Sequence, residues 1–178
     1  MKPGKVLLTV PVTHTTKNAN NRRELFINDI VKHFSWTLGA EIGVRSGRTS
    51  FCLLDNNPQL SMYAVDLDIS QFYNVSIQQK YQERLRVLEG ISWEMSNGVP
   101  DGSLDFVFID AGHGYKSVMK DLESWIPKLK PTGWLIGHDI NFPAVNKAVT
   151  EKLKTFKVGP DNVWFVSFQN DYNMLEKL

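Results

Sequence analysis

One cysteine, Cys52, stands among 178 residues, so no internal disulfide can form and nothing points to an oxidising compartment. Charge of one sign is equally scarce. Twenty Lys and Arg face nineteen Asp and Glu, a formal +1, which gives no broad electrostatic footprint for nucleic acid or an anionic membrane. Long apolar runs are missing too: Val6 to Val12 is broken by Thr9 and Pro11. That run falls short of the ~20 residues that span a bilayer and of the apolar stretch of a secretory signal. The chain therefore reads as cytoplasmic, with neither nucleic acid nor membrane among its partners. At 42% hydrophobic and 22% charged residues it lacks the composition of a disordered polypeptide, and its length suits one globular domain over 1–178.

Residues 1–17 contain Pro3, Pro11 and a Thr-rich stretch around His14 without helical periodicity, and are expected to form an extended arm. Such an arm covers a site or pairs with a second subunit, giving a homo-oligomer. From Asn21 the pattern changes: Leu25, Phe26, Ile30, Val31 and Phe34 recur at three- and four-residue steps, one face of a helix ending near Phe34. Strands are predicted at Thr37–Val44, Met62–Asp66, Leu85–Leu88, Leu104–Asp110 and Trp134–His138, separated by stretches long enough for helices. This alternation predicts a parallel, doubly wound α/β sheet. The clearest helix is 115–126, with Tyr115, Val118, Met119, Leu122, Trp125 and Ile126 on one stripe and Lys116, Lys120, Asp121 and Glu123 facing away. Pro127 and Pro131 end it, Gly133 opens the next strand, and another helix runs from Pro143 to about Leu153. Thr155–Val158 and Val163–Phe168, joined by Gly159-Pro160-Asp161-Asn162, read as an antiparallel hairpin at one sheet edge.

In open α/β sheets ligands bind outside the carboxyl ends of the strands, where the strand order reverses. The first strand ends in Ala40-Glu41-Ile42-Gly43-Val44-Arg45-Ser46-Gly47-Arg48-Thr49-Ser50. A pyrophosphate needs bare amides at a helix N-terminus, and the fingerprint for one, Gly-x-Gly-x-x-Gly, is not there. An acid two residues ahead of Gly43 would repel a phosphate and suits a ligand with an ammonium or sulfonium group. The second strand ends in Asp66, 25 residues beyond Glu41, a distance that places a carboxylate on ribose hydroxyls.

With these motifs the sequence resembles the class I S-adenosylmethionine-dependent methyltransferases. The likeness is to a small branch carrying an E-x-G-x-x-x-G-x-S/T loop, a D-F-V-F-I-D-x-x-H-x-Y segment and a G-H-D segment. These correspond here to Glu41–Thr49, Asp105–Tyr115 and Gly137-His138-Asp139, and the likeness spans roughly residues 36–142. It implies a Rossmann-like, seven-stranded mixed sheet with the C-terminal hairpin as antiparallel strands six and seven. It also implies S-adenosylmethionine as cofactor and a small or medium-sized acceptor methylated at oxygen or nitrogen. By the same resemblance Glu41 and Gly43 border the methionine moiety, Gly47 belongs to the loop, and Asp66 takes the ribose. The turn Glu89-Gly90-Ile91-Ser92 approaches adenine, with Ser92 as a contact, and Asp110 lies beneath the methionine and the acceptor. Many methyltransferases have a third glycine where this chain has Arg45.

Each assignment has a plainer counterpart. Gly47 could serve only helix packing, and Ser92 could bond its own backbone. His113 and His138 are candidate general bases for an acceptor proton, since imidazole titrates near physiological pH, or else a helix cap and a structural residue. Asp110 and Asp139, each near a histidine, are candidate ligands of a divalent cation that would orient an acceptor hydroxyl. Catechol-type relatives use an Asp-Asn pair there, whereas this chain reads Asp139-Ile140-Asn141. Tyr73–Tyr81, Trp93, Asn141 and Phe142 are candidates for an acceptor pocket. Cys52 is expected as a small buried side chain, and His14 and His33 as ordinary surface or packing residues. Two rivals remain: a non-catalytic S-adenosylmethionine-binding module, and a dinucleotide-dependent oxidoreductase, which the missing fingerprint disfavours.

Overall fold

The structure, a computed structural model, describes residues 22–168; the arm at 1–17 and His14 lie outside them. Seven strands form one sheet: β1 Leu38–Ile42, β2 Ser61–Asp66, β3 Leu85–Glu89, β4 Leu104–Ile109, β5 Leu129–Gly137, β6 Lys157–Val158 and β7 Trp164–Ser167. Six helices connect them: α1 Arg23–Phe34, α2 Arg48–Asn56, α3 Val75–Tyr81, α4 Ser92–Met95, α5 Tyr115–Trp125 and α6 Pro143–Leu153. The strand order is β3-β2-β1-β4-β5-β7-β6. β1 to β5 run parallel, and β7 joins β5 and β6 antiparallel. The doubly wound sheet and its C-terminal hairpin are as the sequence predicts. Among the described residues no helix is long and apolar enough to cross a membrane.

Alternating side chains divide the core into two layers, as the two-residue period of a strand requires. Ala40, Ile42, Tyr63, Val65, Val107 and Ile109 pack on one face with α5 and α6. Met62, Ala64, Phe106 and Phe108 pack on the other with α1, α2 and Tyr81 of α3. Two details of the helix faces differ from expectation. Leu25 of α1 is 44% exposed while Ile27 is buried, because the buried face is rotated toward α2. Asp121 of α5 is not on the solvent side: it is 1% exposed, one step along the row Val118, Asp121, Leu122, Trp125.

β5 starts earlier than its apolar run. Leu129 pairs with Leu104 before the register shifts and Trp134 pairs with Phe106, so Pro131 sits in an irregular stretch where it withholds no ladder hydrogen bond. The β6–β7 connection is tight, with Asp161 and Asn162 at φ 54° and 56° and Val163 N–H donating to the Pro160 carbonyl at 3.1 Å. Asp and Asn tolerate this left-handed pair better than other non-glycine residues.

β1 lies between β2 and β4, so the order reverses beside it. Backbone bonds carry the ladder one step past the strand ends. Gly43 N–H donates to the Val65 carbonyl (2.8 Å), Asp110 N–H to Ile42 (2.8 Å), Gly90 N–H to Asp66 (2.9 Å) and His138 N–H to Ile109 (3.0 Å). Gly43 is what permits this closeness. At φ 87° its missing Cβ would stand 2.4 Å from the Asp110 carbonyl oxygen and 2.7 Å from Ala111 Cα. Overpacking costs ~1–3 kcal/mol and non-glycine strain a similar amount. Gly43→Ala should therefore lower stability by about 3 kcal/mol, roughly 6–12 °C in Tm, which thermal unfolding would check; an unchanged Tm would show that β1 and β4 can part freely.

Candidate active site

The strand ends bring Glu41, Asp66, Asp110 and His138 to one rim, around a cavity of about 950 Å³. Clefts of roughly 300–1,000 Å³ hold drug-sized ligands, so this one accommodates a nucleoside with a second small molecule beside it. Its lining runs from Gly90 behind β3 to His138 and Asp139 behind β5. Four strand spacings of ~4.8 Å separate those ends, about 19 Å in all.

Glu41 is fully buried beneath the first loop. Its carboxyl accepts the Ser50 backbone N–H at 2.8 Å and the Ser50 hydroxyl, near the start of α2, where the helix dipole favours an anion. Burial still dominates. It pushes the Glu41 carboxyl up to about 8 against the Ser50 hydrogen bonds, with the charge of Asp110 adding to the rise. An acid held above its unfolded value binds its proton more tightly when folded, so its contribution to stability is lost as pH climbs from the ordinary carboxylate range through about 8. Glu41→Gln keeps the acceptor and removes the titration. The variant should gain Tm relative to wild type between pH 6 and pH 9, and a constant difference over that range would refute the assignment.

Asp66 ends β2, half-buried. One carboxylate oxygen accepts Arg45 N–H at 2.7 Å and the other Asp68 N–H at 3.2 Å, so loop amides fix its orientation toward the cavity it lines. Arg45 adopts φ 54°, the conformation that a glycine would supply at no cost. Gly43 lines the cavity, but its role in the fold is the close passage of β1 and β4. Gly47 does not line it: at φ 78° its absent Cβ would meet the Phe51 ring at 2.2 Å, so helix entry explains this glycine. Ser92 lines the cavity, and its hydroxyl accepts Trp125 Nε1–H at 3.0 Å rather than serving its own turn.

At the other end six polar side chains converge. His138 Nδ1 lies 3.0 Å from Asp139 Oδ1 and 3.4 Å from Asp110 Oδ1. Burial works against an imidazolium there, but the hydrogen bond and charge of Asp110, with that of Asp139, outweigh it and raise the His138 pKa. His138 Nε2 is buried without a hydrogen bond, 3.8 Å from Asp161 Oδ2. Asp139 is held at φ 60° and its other oxygen meets His113 Nε2 at 2.5 Å. Residues kept in sparsely populated backbone regions gather at sites where the surroundings fix them. His113 is 46% exposed and stacks on Phe142, ring centroids 4.6 Å apart.

Arg23 gave no sequence signal. It reaches from α1 to place Nη2 3.1 Å from Asp110 Oδ2, while its backbone N–H donates to Asp161 at 3.2 Å. Asp110, His138 and Asp139 each offer a ligand atom within 4.8 Å of the others. This mixed oxygen and nitrogen set fits a divalent cation when His138 is neutral. Trp93 lines the cavity, but Tyr81 is buried against Phe51 and Tyr73 borders a separate surface hollow, so 73–81 supplies no wall here. Cys52 is half-buried, and burial pushes its thiol up. His33 is exposed on α1, edge-on to Phe34.

Comparison with known proteins agrees with this architecture. A provisional caffeoyl-CoA O-methyltransferase from Staphylococcus aureus superposes with a TM-score of 0.67 at 18% identity, over 81% of each chain. The O-methyltransferase NovP does so at 0.62 and 15%, covering 82% of this chain and 78% of its own. An SAH-bound methyltransferase from Podospora anserina gives 0.65 and 14%, covering 80% and 76%. At such identities these likenesses speak for the fold. An uncharacterized protein of Sinorhizobium fredii is 29% identical over an alignment of 114 residues that covers 56% of this chain and 12% of that protein. The family model described as a methyltransferase domain matches residues 40–140, from β1 to just past β5, and the chain belongs to that family.

Proposed function

We propose that this chain transfers a methyl group from S-adenosylmethionine to a hydroxyl of a small molecule. The observation that carries the reading is the convergence of Glu41, Asp66 and Asp110 on neighbouring strand ends around one cavity. The Asp66 carboxylate, which lines the cavity, fits a nucleoside there: each of its oxygens accepts one loop amide and keeps a further lone pair for a ribose hydroxyl. Oxygen as the acceptor atom is supported by the names of the S. aureus and NovP neighbours.

When bound, the cofactor supplies an electrophilic methyl on a sulfonium that departs as a neutral thioether. Asp66 holds the ribose hydroxyls. Glu41 and Asp110 set a negative field for the ammonium and sulfonium, and a cation beside Glu41 favours its ionised form. Orientation of donor and acceptor supplies much of the rate, up to ~7–11 kcal/mol. His113 takes the acceptor's proton: Nε2 donates to Asp139, leaving Nδ1 with the lone pair, and Asp139 orients the ring. His138 lies deeper, between Asp110 and Asp139, and balances their charge together with Arg23.

A second reading adds a divalent cation, favoured by the 4.8 Å clustering of Asp110, His138 and Asp139. These three would hold it, and it would lower the pKa of the acceptor hydroxyl. Titration calorimetry with S-adenosylhomocysteine tests the main reading. Saturable binding is expected, with release of that product on adding S-adenosylmethionine and a reactive small hydroxyl compound; no binding of either nucleoside would overturn it. Mn²⁺ titration of the same protein separates the second reading, which requires binding that Asp139→Ala abolishes.

A further inference from the structure

We propose that Arg23 stands in the electrostatic place of a divalent cation, so that such an ion binds Asp110, His138 and Asp139 only where the guanidinium is absent or withdrawn. The inference concerns the same site as the second reading above and decides it for this chain; it rests on the methyl-transfer reading only for the use to which the charge is put. Asp110 and Asp139 bring ligand atoms within 4.8 Å of one another and of His138, and Asp161 stands 3.8 Å beyond the imidazole. Carboxylates gathered so closely need a compensating charge. Of the Lys and Arg side chains among the described residues, Arg23 alone pairs with any of the three, its Nη2 lying 3.1 Å from Asp110 Oδ2. An ion held by Asp110 would share that carboxylate with it.

The guanidinium is delivered by a fixed helix end. Arg23 is the first residue of α1, and its N-cap residue, Arg22, supplies no side-chain cap. Instead Asp161, in the turn between β6 and β7, accepts the Arg23 backbone N–H at 3.2 Å. The next residue, Glu24, is buried and accepts Arg48 Nε–H from α2 at 2.7 Å, so the start of α1 is tied on both sides. Arg23 itself is partly buried, and its Nε has no partner among the described residues. Burial weakens the screening of its charge, and a guanidinium cannot shed a proton to make room for another cation. Two cations on one carboxylate repel. Arg23 also lines the cavity with His113 and Asp139, where its charge favours an acceptor oxygen that is losing its proton.

Calorimetric titration with Mn²⁺ tests this on wild type, Arg23→Met, Arg23→Lys and the double variant Arg23→Met with Asp139→Ala. Removing the charge should tighten Mn²⁺ binding by about 10- to 100-fold, the scale of relieving one close like-charge pair. Arg23→Lys keeps the charge and should stay within about threefold of wild type, and Asp139→Ala should cancel the gain. A merely structural Arg23 would leave the affinity for the ion where it is, or move it alike in the methionine and lysine variants. Equal Mn²⁺ affinity in wild type and Arg23→Met, equal gains in the two single variants, or a gain that survives Asp139→Ala would overturn the proposal. If Arg23→Met does not fold, Arg23→Gln, whose amide still donates to Asp110, takes its place under the same criteria. These titrations need no nucleoside. Unchanged Mn²⁺ affinity sinks this inference alone, whereas wild type that binds no S-adenosylhomocysteine sinks the cofactor reading alone.

Discussion

Replacing Asp66 with alanine should weaken S-adenosylhomocysteine binding by two to four orders of magnitude. In the proposed complex its carboxylate accepts from both ribose hydroxyls. Hydrogen bonds to a charged group contribute about 1.5–3 kcal/mol each, and two correspond to roughly 10²–10⁴ in affinity. The loop adds to the loss, because Asp66 also holds Arg45 N–H at 2.7 Å and so fixes a residue at φ 54°. Thermal stability should change little, since the carboxylate is half-exposed and bonds only to surface amides. Titration calorimetry beside a melting curve makes the distinction. A variant that binds within about threefold of wild type would remove the ribose from β2 and with it the assigned orientation of the ligand.

The second large effect is on turnover. His113→Ala should reduce kcat by about 10²–10⁴, the usual range for a positioned general base, while leaving S-adenosylhomocysteine affinity nearly intact. Asp139→Asn should give a smaller loss, because an amide at that place can donate to Nε2 and turn the ring to the tautomer that lacks a free Nδ1. Single-turnover methylation of a small hydroxyl acceptor would read both. A loss under about threefold in His113→Ala would transfer the proton to another group, with His138 the remaining imidazole of the cavity lining. His138 is less suited, because the carboxylates on either side favour its protonated form.

Much of the frame was legible before any coordinates. Each strand announces itself by a short apolar run and each helix by a stripe at three- and four-residue steps, and both signals arise from neighbours in the chain. The β5 start was misplaced because Lys130-Pro131-Thr132-Gly133 carries turn chemistry, yet Leu129 still finds Leu104 across the bulge. The charge of Asp121 points it to solvent, whereas its spacing from Val118, Leu122 and Trp125 puts it on the buried row, and there it is 1% exposed.

The sequence by itself determined the order of elements, the strand ends that carry Glu41, Asp66 and Asp110, and the family likeness of those ends. Only the tertiary structure decided which distant groups complete the site: Arg23 from α1 on Asp110, Asp161 from the hairpin near His138, and Trp125 of α5 on the Ser92 hydroxyl. The reason is physical. Periodicity reports what each residue does within its own element, whereas a site at a sheet's rim is made by register and crossover between segments tens of residues apart.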